Sequence, residues 1–259
     1  MSGQTVGEAL GRGVGLLLAP VVAAASRLRG ARALHPAGMV CAAEVESVAR
    51  DEALLPLAKR LAGAAIVRMS GALWKHEGAP ELLGCAIRFR GDRPRTPELA
   101  PADQDLLFAT FRSLWSLLPA PLRTRQHDYL HNDYYTVGVY EAPGLGWVEL
   151  RLVPAQSVAS TGGSRDERLA QAMRSGAAEL RLELRHSRRG APWQPLCEVR
   201  LVGPLAFDEA LEFSPFHAGQ GLEPRGALHA LRLAPYEAGQ RARAAVLAGQ
   251  QAEQLTATP

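Results

Sequence analysis

Residues 213–243 read FSPFHAGQGLEPRGALHALRLAPYEAGQRAR, and the rest of the chain is ordered around them. Tyr236 lies near their end, with Arg232 four residues before it and Arg243 seven after. A phenol ionises only near pH ~10, so a tyrosine binds a metal ion well only when its anion is stabilised. A guanidinium held against the oxygen does this. On a helix, positions i and i+4 share a face, which lets Arg232 reach the Tyr236 oxygen. Pro235 disturbs that helix: it removes the hydrogen bond to the Leu231 carbonyl and costs about 3 kcal/mol in a regular helical interior. The helix is therefore expected to kink at Pro235 or to begin afresh there. Spacing alone is weak evidence, because chance supplies roughly half of one Arg-x-x-x-Tyr pair in a chain this rich in arginine. An ordinary arginine–tyrosine contact on a surface helix has the same spacing, so the decision rests on what lies upstream.

Two upstream stretches carry side chains suited to acid–base work and anion binding. The first is Arg32-x-x-His35-Pro-x-Gly38, which leads through an apolar run to Glu44-Val45. An imidazole with an ordinary pKa of about 6.5 can take a proton and return it near neutral pH. The second is Ile66-Val-Arg68-Met-Ser70-Gly, read as a strand, where positions i and i+2 face the same side and bring Arg68 and Ser70 to one surface. A rim arginine on an ordinary strand is the plainer reading of Arg68.

Composition narrows the rest. At 259 residues and 47% hydrophobic, the chain can bury a substantial core. The net charge is +3, from 29 Lys+Arg against 26 Asp+Glu. The basic residues are dispersed, with no polybasic run, which argues against nucleic-acid binding. Arginine spread in this way suits scattered anionic groups instead. Three distant cysteines, Cys41, Cys85 and Cys197, form neither a zinc spacing nor a disulfide framework, and point to a reducing, cytoplasmic setting. The apolar segment Val14–Ala25 is broken by Pro20 and too short to span a bilayer, and its arginines follow it, unlike those of a signal peptide.

Along the chain, residues 1–30 read as a helical arm and residues 31–259 as one core domain ending in a helix from Ala227 onward. Strands are expected within Ala31–Ser47, over Ala65–Met69, Gly84–Phe89, Ala178–His186 and Glu198–Val202. A hairpin is expected where Asp133–Glu141 and Trp147–Val153 flank the turn APGLG. Helices are expected over Glu52–Ala62 with Pro56 in the first turn, over Asp103–Leu118 with Asp103 as N-cap, and over Arg165–Ser175. Gly91–Pro101 is a loop. Tyr129, Tyr134, Tyr135 and Tyr140 cluster before the hairpin, either as strand packing or as a channel wall or radical relay. Successive hairpins with helices at the ends predict an α+β fold, an antiparallel β-barrel or sheet with flanking helices.

In their order and near-family spacing, these pieces resemble the haem catalase superfamily, over about Arg32 to Arg243. The resemblance implies the family's antiparallel β-barrel core and a haem b bound through Tyr236 as the iron ligand, with Arg232 its charge partner. It makes His35 the acid–base group, oriented by the Ser70 hydroxyl, and assigns Arg32, Arg68 and Arg243 to the haem propionates or edge. The activity implied is that of a peroxidase or weak catalase, with a peroxide and a reductant or lipid hydroperoxide as partners; a homo-oligomer is compatible with it. Two alternatives share the fold: a hydroperoxide isomerase of the allene-oxide-synthase kind, and a haem-free binding or scaffold protein. Leu34 stands where the isomerases tend to carry a threonine before the histidine. The sequence departs from the catalase pattern after Asp105-Leu106-Leu107: Phe108-Ala109-Thr110 replaces the paired asparagines that position peroxide. Asn132 is the residue that could take over that role.

Overall fold

Strands with alternating or continuous apolar residues dominate the computed structural model, which describes residues 37–72, 80–113, 116, 119–136, 138–156, 162–188, 190–208, 210–226 and 229. The chain divides into two compact units, Ala37–Pro224 and a second made from Met1–Pro36 and Arg225–Pro259. Only residues 225, 226 and 229 of the second are described.

The first unit is a closed antiparallel β-barrel of eight strand positions. Its strands are β1 (Ala37–Ser47), β2 (Gly63–Gly71), β3 (Leu83–Gly91), β4 (Gln104–Ala109), β5 (Tyr134–Thr136), β6 (Val139–Ala142), β7 (Gly146–Pro154), β8 (Glu179–His186) and β9 (Gln194–Pro204). The short β5 and β6 share one position beside β7, and β9 closes the ring by pairing with β1. A three-residue strand, β10 (Glu223–Arg225), follows β6 in the sheet order. Among the described residues, closure leaves no long unpaired edge.

The two-residue period of a strand divides each one between interior and exterior. Inward rows run Met39–Met69–Cys85–Phe108 and Cys41–Val67–Ile87–Leu106 across the first four strands. They meet Val148, Leu150 and Leu152 of β7 and Leu180, Leu182 and Leu184 of β8 in one continuous core. Tyr129, Tyr134 and Tyr140 are also buried in this core, and the Tyr134 hydroxyl donates to the Tyr129 carbonyl at 2.8 Å. These three rings fill the barrel, which favours the packing account of the tyrosine cluster.

Helix α1 (Leu55–Leu61) closes against the core through Leu57, Ala58 and Leu61, with Pro56 in its first turn as expected. Helix α2 (Ala120–Arg123) is a single turn. Helix α3 (Arg165–Arg174) starts at Ser164 in a capping box: the Ser164 hydroxyl accepts from the Glu167 amide, and Glu167 accepts from the Ser164 amide. Among the described residues no helix is long and apolar enough to cross a membrane.

One expectation fails. Gln104–Ala109, read as helical, is strand β4. Asp103 does not cap a helix; its carboxylate accepts from the Ala100 amide at 2.8 Å and pairs with Arg93 at 2.8 Å. Both faces of β4 are needed. Leu106 and Phe108 point into the barrel, while Asp105 sits across from Arg88 on the outside. A long-range pair on the neighbouring strand outweighs a local helix signal.

Cys41, Cys85 and Cys197 are free, buried thiols. Burial pushes Cys41 and Cys197 up to about 12 from the ordinary 9.0, helped at Cys41 by the charge of Asp166, and pushes Cys85 up as well. The folded protein should thus leave all three unreactive toward a thiol reagent at pH 8, with labelling appearing only on unfolding; rapid native labelling of any one would contradict the burial. The sign for stability follows. Above the ordinary thiol range the unfolded chain loses these protons while the folded one keeps them, so stability falls as pH rises from about 9 toward 12.

Candidate functional site

The outer face of β1–β4 is where the sequence-predicted Arg68 and Ser70 come together. Register places three rows there. The upper row is Gly38–Ser70–Gly84–Ala109, the middle row Val40–Arg68–Ala86–Leu107, and the lower row Ala42–Ile66–Arg88–Asp105. The upper row carries nothing larger than a hydroxymethyl group. This row of small residues is a floor across four strands; Ala86 below it is already packed into the cluster of Leu211 and Phe213.

Gly38 is required where it stands. A Cβ there would lie 2.4 Å from the Met69 carbonyl oxygen, 2.8 Å from the Ser70 Cβ and 3.1 Å from the Arg68 Cζ. Any side chain would displace the two residues the floor is built around.

Arg68 is almost wholly buried, and its guanidinium grips Asp208 with two nitrogens, Nε at 2.5 Å and Nη2 at 3.3 Å. Asp208 comes from the segment that leaves β9 and runs back over the outer face. The Leu205 amide donates to the Val40 carbonyl at 2.8 Å, and Leu211 and Phe213 then pack on Val40 and Ile66. Ser70, 3% exposed, is buried beside Arg68 in the upper row.

The lower row is an ionic anchor. Arg88 is 1% exposed and Asp105 0%. They join through two parallel bonds, Nε to Oδ1 at 2.8 Å and Nη2 to Oδ2 at 2.9 Å. Asp105 Oδ2 also accepts from the Ser214 amide at 3.0 Å and meets His217 Nδ1 at 2.8 Å. The Arg88 guanidinium donates to the Glu212 carbonyl, and the Phe213 ring lies 5.2 Å from its Cζ. Next to it, the Gln104 amide ties the backbone of His217 and Leu222. Residues 212–222 are thus fastened to β3 and β4 through the buried Arg88–Asp105 pair and the Gln104 side chain.

Asn132 does not join this face. Its side chain accepts from the Arg125 amide at 2.8 Å and donates to the carbonyls of Arg125 and Asp128, which clamps the turn before the 3₁₀ helix Tyr129–His131. In the stretch that replaces the paired asparagines, Phe108 points into the barrel and Thr110 is bonded to the Leu83 amide and the Thr124 hydroxyl. His35, Arg32, Arg232, Tyr236 and Arg243 lie outside the described residues, as do the N-terminal arm and the C-terminal helix. Among the described residues no group of three or more His, Cys, Asp or Glu could hold a metal ion. An open cavity lined by Pro121, Arg125, His131 and Arg168 shares no residue with the floor. Sequence reasoning missed Asp208, which is 140 positions from Arg68, and missed the Arg88–Asp105–His217 set, whose members carry no motif.

Comparison with solved structures matches this architecture to a crystal structure of a fungal catalase. The TM-score is 0.57 at 12% identity, over 82% of this chain and 59% of that one. The barrel is catalase-like. The chain spans less than two thirds of that protein's length. No family model and no curated protein matches the sequence. The catalase-like barrel therefore carries Arg68 and Ser70 on one buried outer surface, with a carboxylate already on the arginine.

Proposed function

We propose that this chain is a cytoplasmic haem peroxidase or weak catalase acting on hydrogen peroxide or organic hydroperoxides, and that residues on the outer face of β1–β4 would help to hold haem b. The observation that carries the reading is the floor: Gly38, Ser70, Gly84 and Ala109 form a row across four strands, buried except at the half-buried Gly38, with no bulky side chain, which suits a planar macrocycle. A Cβ at Gly38 would spoil it. Arg68, at the floor's edge, already binds a carboxylate by two nitrogens, which is the chemistry a propionate needs. These residues fit the group.

Tyr236 would be the iron ligand and Arg232 would stabilise its phenolate. Arg32, Arg68 and Arg243 would hold the acidic edge. When bound, haem supplies an iron centre that reacts with peroxide. The chain's own part is proton handling: His35 takes a proton from the incoming peroxide oxygen and returns it to the departing one, and the Ser70 hydroxyl fixes the imidazole's orientation.

The Phe108-Ala109-Thr110 stretch favours peroxidase over efficient catalase. It offers no carboxamide to the floor: Ala109 contributes a methyl group and the Phe108 ring is inside the barrel. The Arg68–Asp208 pair speaks for the second reading, a haem-free binding protein, because the arginine is satisfied without a ligand. Absorption spectroscopy separates them. Haem-supplemented wild-type protein should show a Soret band with high-spin ferric tyrosinate features, and Tyr236→Phe should lose those features. Wild-type protein with no Soret band would leave only the haem-free reading. With haem bound, oxidation of a reducing dye that outpaces oxygen release would mark a peroxidase.

A further inference from the structure

The open cavity beside the 120–131 turn takes no part in the roles above. It encloses about 540 Å³, a size that suits a small organic molecule. Arg125 and Arg168 line it, and the backbone holds both in place. Asn132 accepts from the Arg125 amide at 2.8 Å and donates to the Arg125 carbonyl at 3.1 Å, which clamps the main chain while the side chain stays exposed. Arg168 stands on α3. Its amide donates to the Ser164 carbonyl at 3.0 Å and its Nε to the Gly162 carbonyl at 3.1 Å. Among the described residues, neither guanidinium is paired with a carboxylate. The one carboxylate among the lining residues is engaged elsewhere. Asp128 Oδ1 accepts from the Leu130 amide at 2.8 Å, and Oδ2 lies 3.0 Å from His131 Nδ1.

Fixed charge and apolar surface together define what such a cleft takes. With the imidazoles neutral, two guanidiniums against one carboxylate leave a single positive charge on the wall. A cleft with an excess of one sign concentrates the opposite ion, and a guanidinium fork matches the two oxygens of a carboxylate. One carboxylate balances that excess, whereas a phosphate group, close to a dianion at neutral pH, overshoots it. Pro80, Pro121 and Leu122 line the same cleft, and Leu122 is 81% exposed, so an apolar body has surface to cover. We propose that this cleft binds an organic monocarboxylate, with its acid group on Arg125 and Arg168 and its apolar body against Pro80, Pro121 and Leu122. Because Asn132 and α3 fix the main chain of both arginines beforehand, less order has to be imposed on binding. The proposal does not draw on the haem reading, since the cleft shares no residue with the floor.

The test titrates octanoate, octanamide, acetate and inorganic phosphate into the full chain by calorimetry. Octanoate should bind at one site per chain. Octanamide, which lacks the charge, and acetate, which lacks the apolar body, should each bind about tenfold more weakly. Phosphate should also bind more weakly than octanoate. Arg168→Gln should weaken octanoate about tenfold and the more exposed Arg125→Gln about threefold. Leu122→Ser should weaken octanoate and leave acetate unchanged. A second readout needs no variant: octanoate should slow phenylglyoxal modification of Arg125 and Arg168, read by peptide mass spectrometry, and leave the exposed Arg123 unaffected. No octanoate binding, equal affinity for octanamide, phosphate bound as tightly as octanoate, or arginines left unprotected would each overturn the proposal. So would a Leu122→Ser variant that lowers octanoate no more than acetate. Full affinity in the double variant Arg125→Gln with Arg168→Gln would place the carboxylate elsewhere on the chain and overturn it too. None of these results bears on haem, which the Soret band reads separately.

Discussion

Asp105→Ala is expected to lower the unfolding free energy by about 3–5 kcal/mol, measured by urea titration with tryptophan fluorescence. The carboxylate it removes has four partners: two nitrogens of Arg88, the Ser214 amide and His217 Nδ1. Arg88, 1% exposed, would lose the carboxylate that binds it through two nitrogens. It would keep its bonds to the Glu212 and Pro97 carbonyls, neither of which carries a charge. A loss on that scale is a large share of the roughly 5–15 kcal/mol that holds a typical domain folded. The mechanism makes a second, sharper forecast. Replacing both partners with apolar residues of similar size, Arg88→Met with Asp105→Leu, removes the stranded charge as well, so the double variant should be more stable than Asp105→Ala alone. A loss below about 1 kcal/mol for Asp105→Ala, or a double variant less stable than the single one, would show that the pair is not the anchor of residues 212–222.

His35→Ala should reduce dye oxidation by peroxide about 10²–10⁴-fold while the Soret band stays in place. The two halves of the expectation belong together. An acid–base group lowers the barrier to moving the peroxide proton and contributes nothing to holding the porphyrin, so rate and occupancy should separate. Ser70→Ala should give a smaller loss in the same direction, since it frees the orientation of the imidazole but leaves the base. If His35→Ala retains wild-type rate, the acid–base assignment is wrong; if it loses haem, His35 has a structural role at the site. Arg32 and His35 share one short stretch, so occupancy must be measured alongside rate.

The strands that could be read in advance are those whose environment matches their own period. Leu180, Leu182 and Leu184 alternate with charged residues because β8 has one face in the barrel and the other lined by partly buried ion pairs. The β6–β7 hairpin follows from APGLG for a similar local reason. Strand β4 has no such period, because it is buried on both faces and begins after an aspartate that looks like a helix cap. Only the β3 partner explains it: Arg88 stands directly opposite Asp105.

At the site, the sequence by itself determined that Arg68 and Ser70 would share a face, since a strand's two-residue period requires it. It also determined the order of His35, Arg68, Ser70 and Tyr236 that carries the resemblance to catalases. Tertiary structure decided the rest. Closure of the barrel brings four strands side by side, so that Gly38, Gly84 and Ala109, unremarkable one by one, become a floor. The return of residues 205–217 across that face puts Asp208 on Arg68 and locks His217 to Asp105. Those contacts join positions more than a hundred residues apart, and no local pattern encodes them. They exist because a buried guanidinium must find an anion somewhere in the folded chain, and the fold determines which one it meets.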